Sequence, residues 1–417
     1  MASSPFPSFA RPGALPTALP SSSCLDSPVG LTNMGNTCFL NAALQALMRC
    51  ATIGPFFLGP DIPLRAESNK REMVTAFQTL MRDFWAVPRP IPGQRPALTP
   101  GGFVHSLHRI LHETGDDWHR RGQQSDATEA LQHILEYLHD GMARPVTMEY
   151  SGEARTDSQK SQMAALHSWA TYYSKEYSEI IRDFQGQTRI VIRCEECGNQ
   201  TERFEPYLTI KAPIPGAAVS GAAAPTGAEC VALAFAPETI EDYVCTPCGK
   251  RTRAVKRDSI SRLPPVSLVS FKRFVNVPTP GGYEMRKVRG LIGWDLDAFD
   301  MAPWKAFPRD PFSGRADPSV LTTMALIEHW GSLRGGHYRM FARTTTGWIC
   351  CDDSSVTQVP QSDVITEDSY IAFMVPQHSY REHMARFEAS VEALRRARAA
   401  PPSTDAPPPL MPIPAPA

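Results

Sequence analysis

Gly30-Leu31-Thr32-Asn33-Met34-Gly35-Asn36-Thr37-Cys38-Phe39-Leu40-Asn41 leads a polar, glycine-containing loop into an amphipathic segment. From Phe39 the apolar residues Leu40, Ala43, Leu44 and Leu47 recur at helical spacing, and Gly54-Pro55 stops the pattern soon afterwards. Cys38 therefore stands at a helix start. There, unpaired backbone amides and the positive end of the helix dipole favour a thiolate, the nucleophilic form of the side chain. Asn33, upstream in the same loop, is placed to fold back so that its amide and the Cys38 backbone N–H hold a developing oxyanion. The same position also suits an ordinary buried cysteine at a helix end. The choice falls to the partners.

A thiol nucleophile needs a base beside it and a third group that fixes the base's tautomer, and both come from distant parts of a chain. Gly335-Gly336-His337-Tyr338 sets a histidine after two glycines, at the start of a strand-like run. Further on, Trp348-Ile349-Cys350-Cys351-Asp352-Asp353-Ser354-Ser355 puts a carboxylate at the end of the next strand. Two antiparallel neighbours would bring Asp352 beside His337. Asp-Asp-Ser-Ser is also good turn chemistry, and a hairpin histidine can be a plain surface residue. Taken jointly, the cysteine, histidine and carboxylate point to thiol hydrolysis.

Lys and Arg total 42 against 43 for Asp and Glu, so no overall field draws the chain to nucleic acid or to an anionic membrane. No apolar run approaches the roughly 18 residues that span a bilayer. The first 25 residues have one arginine, no acidic side chain and no apolar h-region. Residues 1–28 are accordingly expected to be a disordered leader, with the fold beginning near Gly30. A second helix follows Ser125, where Asp126 and Glu129 fit a capping box and Leu131, Ile134, Leu135 and Leu138 form one face. From about Gln187 the texture turns to strand, in runs at Thr188 to Arg193, Val266 to Phe274, Leu321 to His329, His337 to Arg343 and Tyr370 to Val375. The chain is thus α+β, helical first and sheet later. Ala212 to Ala228 looks like an inserted loop. After Val375 a charged helix with Met384, Phe387, Val391 and Leu394 on one side precedes a Pro-rich end from Pro401 to Ala417, read as a spacer or a docking peptide for a partner.

Of the ten cysteines, four form two Cys-x-x-Cys pairs, Cys194/Cys197 and Cys245/Cys248, each followed by glycine. Paired knuckles flanked by strand-like sequence suit one tetrahedral zinc ion, whereas a redox Cys-x-x-Cys is normally single and opens a helix. Four thiolates leave no open coordination position, so such an ion is structural. This usage fits a reducing, intracellular compartment, cytoplasmic or nuclear.

The Cys38 loop, the Gly-Gly-His-Tyr run and the following Trp and Asp-Asp-Ser resemble the Cys and His boxes of the ubiquitin-specific protease family of deubiquitinating cysteine proteases. Between them, Gln123-Gln124-Ser125-Asp126-Ala127-Thr128-Glu129 is similar to that family's Gln/Asp/Glu helix start, and Val266 to Phe274 to its Lys-Arg-Phe strand. The resemblance covers about Gly30 to Val375. It implies a papain-like cysteine protease spanning 29–376, with a helical thumb (about 29–185), a sheet palm and zinc-ribbon fingers (about 188–262) that grip ubiquitin, followed by a tail from 377 to 417. It further implies that Cys38 attacks the carbonyl of ubiquitin's terminal glycine, with His337 as base and then acid. Asp352 orients His337, Asn33 serves the oxyanion and Asp353 supports the polar site, a swap between Asp352 and Asp353 remaining open. Asp126 and Glu129 face the arginine-bearing end of ubiquitin, and Gly335, Gly336 and Tyr338 line the channel for its tail. Ala130, Arg339 and Glu328-His329-Trp330 depart from the family's usual residues, which leaves the channel's shape open.

Overall fold

The structure is a computed structural model that describes residues 23–26, 29–87, 96–150, 152–215, 224–309, 311, 319–332 and 335–399. Most of the expected leader and the whole Pro-rich end from Pro401 lie outside the described residues. Ser23 to Asp26 do not belong to a free leader. Leu25 is buried, the Cys24 amide donates to Glu388, and Asp26 accepts from the Thr345 amide and hydroxyl at 2.9 and 2.6 Å.

A short parallel pair, β1 (Gly30–Leu31) with β2 (Ala97–Leu98), precedes and flanks the first helix. That helix, α1 (Cys38–Met48), is buried along its whole length. A helix buried all round belongs in a core, and the amide groups of its two polar side chains find acceptors there: Asn41 donates to Asp353 and Gln45 to the Val29 carbonyl. In one core with α1 stand α2 (Gly54–Leu58), α3 (Arg71–Ala86), α4 (Gly101–Thr114) and α5 (Ala127–Met142), whereas α6 (Asp157–Tyr173) lies in a separate cluster through Trp169 and Tyr173, and α7 (Glu179–Phe184) returns to the first core. At α5 the Asp126 carboxylate caps the amides of Thr128 and Glu129 at 2.8 and 3.2 Å, but among the described contacts Glu129 does not bond back. The cap is therefore one-sided.

The later strands are β3 (Gly186–Cys194), β4 (Gln200–Tyr207), β5 (Thr209–Pro213), β6 (Glu238–Cys245), β7 (Lys250–Arg262), β8 (Ser267–Lys272), β9 (Phe274–Thr279), β10 (Gly282–Lys287) and β11 (Phe299–Asp300). They continue as β12 (Val320–Ser332), β13 (Gly335–Arg343), β14 (Trp348–Asp352), β15 (Ser355–Val359) and β16 (Ser369–Pro376). An eight-stranded sheet runs β15-β14-β13-β12-β16-β8-β5, with β11 also on β12. One face packs on the helical half through Tyr338, Met340, Ile371 and Phe373, and the other forms a second core with Leu326, Phe341, Phe271 and Trp294. A separate antiparallel sheet, β4-β3-β7-β6, projects as a finger.

Two expectations are corrected. The stretch Val266 to Phe274 is two strands, because buried Arg273 breaks the ladder and donates to the carbonyls of Ser369, Val288 and Gly290. The expected loop Ala212 to Ala228 begins as β5 and ends by opening α8 (Gly227–Ala234), while 216–223 lie outside the described residues. Thr226 and Glu229 form the capping box of α8, a pattern present in the sequence but masked by its small-residue surroundings. After β16, α9 (Gln377–Ala399) buries Met384, Phe387, Val391 and Leu394. Its Phe387 meets Trp85 of α3 edge-on at 5.0 Å, and Arg395 donates to the Trp85 carbonyl. Among the described residues no helix is long and apolar enough to cross a membrane.

Candidate active site

Cys38 is the first residue of α1 and is buried. The loop before it is tied by its own side chains. Asn33 Oδ1 accepts from the amides of Gly35 and Thr37 at 2.9 and 3.2 Å, and Thr37 Oγ1 accepts from the Met34 amide at 2.9 Å. Burial pushes the Cys38 thiol above its usual pKa; the nearby Asp353 charge adds to this, and hydrogen bonds from the Tyr338 backbone, the Gln124 side chain and the Phe39 backbone oppose it. Burial thus disfavours the thiolate, so that a base beside the thiol would assist its deprotonation.

The histidine expected in that role stands on β13. Antiparallel pairing of β13 with β14, Met340 against Cys351, brings His337 Nε2 to 2.6 Å from Asp352 Oδ1. An ionised carboxylate only accepts, so Nε2 carries the hydrogen and the Nδ1 lone pair is left for another partner. Packing of α1 on β13 puts Cys38 beside this strand, and the thiol receives the amide of Tyr338, the residue after His337. Among the described contacts there is no direct Cys38–His337 hydrogen bond. Such bonds often tighten only with substrate in place.

The two adjacent aspartates have separate partners. Asp353, at φ 47°, directs its carboxylate to the cysteine side: Oδ2 accepts from Asn33 Nδ2 at 2.9 Å, Oδ1 from Asn41 Nδ2 at 2.7 Å, and its carbonyl from the Leu31 amide at 2.8 Å. Gly30 makes this docking possible, since a Cβ there would lie 2.4 Å from the Ser354 carbonyl oxygen. Backbone cannot swing aside as a side chain can. Gly30→Ala is expected to lower stability by about 1–3 kcal/mol and turnover by more than about tenfold, through displacement of the Asp352-Asp353 turn. Thermal denaturation and steady-state kinetics on one preparation check both, and wild-type values would contradict the docking argument.

Sequence reasoning missed Gln124 as a site residue. Its Nε2 lies 3.5 Å from Cys38 Sγ and 2.6 Å from the Gly336 carbonyl, and its Oε1 accepts from the Gly336 amide at 3.1 Å. It spans thiol and histidine strand. The only signal was its place in the Gln-Gln-Ser-Asp run. Asp126 is engaged inside the protein, accepting from Tyr370 at 2.7 Å and Tyr338 at 3.5 Å besides capping α5. Glu129 and Gly335 are exposed, whereas Tyr338 is buried.

At the tip of the finger, Cys194, Cys197, Cys245 and Cys248 place their sulfurs within 4.8 Å of one another. The separations Cys194–Cys248 and Cys197–Cys245 are 3.9 and 3.6 Å. Ligands about 2.3 Å from a tetrahedral centre stand about 3.8 Å apart. The donor set fits. Gly198 and Gly249, at φ 70° and 65°, make the left-handed turn behind the second sulfur of each pair. The four-cysteine cluster can hold a metal ion.

The sequence model described as "Ubiquitin carboxyl-terminal hydrolase" matches residues 29–374. Ubiquitin carboxyl-terminal hydrolase 21 of Mus musculus is 27% identical over 368 residues, covering 83% of this chain and 61% of that protein. Ubiquitin carboxyl-terminal hydrolase 2 of Bos taurus is 28% identical over 353 residues, covering 82% and 54%. The chain thus spans about 61% or less of the length of these relatives. Among solved structures, a chain of the SAGA Ubp8/Sgf11/Sus1/Sgf73 DUB module bound to ubiquitin aldehyde superposes with a TM-score of 0.63 at 20% identity, covering 86% of this chain and 71% of that one, a likeness of fold. A family match running from the start of the cysteine loop to the last strand of the central sheet, over a site with these partners, leads to one conclusion: the chain belongs to the ubiquitin carboxyl-terminal hydrolase family.

Proposed function

We propose that this protein is a cysteine-type deubiquitinase that hydrolyses the bond after the C-terminal glycine of ubiquitin through a Cys38 thioester. The observation that carries the reading is the 2.6 Å bond between His337 Nε2 and Asp352, which leaves Nδ1 free beside a helix-start thiol. In this reading His337 takes the thiol proton as sulfur adds to the carbonyl, then gives it to the leaving lysine amine as the tetrahedral centre collapses. Water, activated by the same imidazole, then cleaves the thioester. Asp352 keeps the tautomer and balances the imidazolium. Asn33, steered by Asp353, offers its remaining N–H to the oxyanion with the Cys38 backbone amide, and Gln124 holds Gly336 at the mouth of the site. Glu129 faces basic groups of the substrate, and Gly335, Gly336 and Tyr338 line the tail channel. Asp126 acts chiefly by fixing α5 and the two tyrosines.

The metal is zinc, held by Cys194, Cys197, Cys245 and Cys248, and it stays outside the chemistry. The catalytic unit spans 29–376 with thumb, palm and fingers divided as in the sequence reading. Ubiquitin and its conjugates are the partners, the Pro-rich end is a docking segment, and a reducing intracellular compartment suits the free thiols.

The test is a ubiquitin carrying a C-terminal thiol-reactive group, offered to the native chain and to Cys38→Ala under reducing, zinc-replete conditions. A single ubiquitin-sized mass addition to the native chain alone is the expected result. No addition, or addition only with a ubiquitin-like modifier, would overturn the substrate assignment.

A further inference from the structure

Arg339 and Glu328 stood out in the sequence as departures, and the sheet places them directly opposite each other. In the β12–β13 register Glu328 faces Arg339 and Trp330 faces His337. The β13–β14 register, Met340 against Cys351, carried one residue further sets Asp352 opposite Arg339. Directly opposed residues share a face of the sheet, as do residues two apart on one strand. Glu328, Arg339, Asp352 and His337 therefore line one face, with the guanidinium between two carboxylates.

The two carboxylates are treated differently. Glu328, only 1% exposed, bonds Arg339 Nε through Oε1 and accepts the Thr366 hydroxyl through Oε2 at 2.7 Å. Asp352 bonds His337 and, among the described contacts, makes no hydrogen bond to Arg339, although the Arg339 charge acts on it. A buried carboxylate is costly unless paired. A guanidinium released from one carboxylate turns readily to the next, because its planar fork matches either.

We propose that Glu328, anchored by Thr366, is a positioning residue that holds Arg339 away from Asp352, so that Asp352 remains the partner of His337. This rests on the reading of His337 and Asp352 as the catalytic pair. Other charged or titratable groups around the cluster are Cys38 from α1, Cys350 from β14 and Asp353 at the β14–β15 turn. Behind β12, Arg273 acts on Glu328, and Lys287 is bonded to Asp368 at 2.7 Å. Among the described contacts, none of these forms a hydrogen bond with Arg339.

Glu328→Gln preserves shape and the contact to Thr366 but removes the charge that restrains Arg339. The guanidinium then draws on Asp352, the imidazolium loses its counter-charge, and the His337 ring titrates at lower pH. In the histidine-labelled full chain, with His337 assigned by His337→Gln, the NMR midpoint is expected to fall by about 1 on the pH scale. Ubiquitin-bond hydrolysis is expected to fall about tenfold or more, and Glu328→Gln/Arg339→Val restores both. Thr366→Val, which loosens only the anchor, shifts the midpoint the same way by less, and serves if Glu328→Gln does not fold. An unmoved midpoint in the single variant, or a double variant that fails to recover, would overturn the proposal, since a packing role for Glu328 is not rescued by deleting Arg339. The midpoint needs no substrate: a chain that shows the shift and the rescue yet leaves ubiquitin uncut fails the functional reading, not this one.

Discussion

Asp352→Ala is expected to lower kcat for cleavage of a ubiquitin C-terminal amide about 10²- to 10³-fold, with KM changed by less than about threefold. The carboxylate does not touch the substrate in the proposed mechanism. It fixes which imidazole nitrogen carries the hydrogen and stabilises the cation formed when the thiol is deprotonated, and both effects are absent from ground-state binding. Asp353→Ala is expected to behave otherwise. Its carboxylate accepts from Asn33 and Asn41 at 2.9 and 2.7 Å, so its loss frees the loop that carries the proposed oxyanion donor Asn33 and leaves the buried Asn41 carboxamide short of a partner. A missing partner of that kind costs about 1–3 kcal/mol. Turnover should drop with a clear fall in melting temperature, whereas Asp352→Ala should melt near wild type. Kinetics and thermal denaturation of both variants decide the matter: an active Asp352→Ala beside an inactive, fully stable Asp353→Ala would exchange the two roles.

How the aspartates divide could not be read from a linear string. The hairpin that presents them was legible, because Asp-Asp-Ser-Ser between two apolar runs is turn chemistry, and so was the approach of its first carboxylate to a histidine one strand away. Which carboxylate turns toward the cysteine loop depends on Asp353 adopting φ 47° and on Gly30 letting the turn dock, neither of which is local to the hairpin. The same holds for Glu328 and Arg339. Each alone reads as an oddity in a strand, and only the antiparallel register makes them a pair. Arg273 shows the converse failure: β propensity continued through Val266 to Phe274, but one side chain bonding three carbonyls outweighed it. Helix faces were the easiest to read. The spacing of Met384, Phe387, Val391 and Leu394 marks the buried side of α9 without any tertiary knowledge. Gln124 was the hardest, since a carboxamide announces no chemistry until the thiol and the Gly336 backbone are on either side of it.

If the four cysteines hold the proposed zinc, stripping it with a strong chelator, or replacing Cys245 by Ser, is expected to unfold the tip of the finger while the central sheet keeps its structure. The finger has little else to hold it. In β6 only Cys245 is buried, and in β4 only Phe204, so the outer strands lack the apolar area that would replace a metal tether. Structural zinc contributes about 10–16 kcal/mol of binding free energy in small metal-folded peptides, far more than the two exposed outer strands could supply by themselves. Hydrogen exchange should therefore accelerate at the ends of β3 and β6 and the start of β7, with β12, β13 and β16 still protected. Because Cys38, His337 and Asp352 are carried by α1 and the central sheet, kcat should stay within a few-fold while KM for ubiquitin substrates rises about tenfold or more. Unchanged exchange at the cysteine knuckles would remove the metal from the account. A collapse of kcat at constant KM would instead make the finger part of what shapes the catalytic groups, and the division between a gripping sheet and a reacting sheet would have to be abandoned.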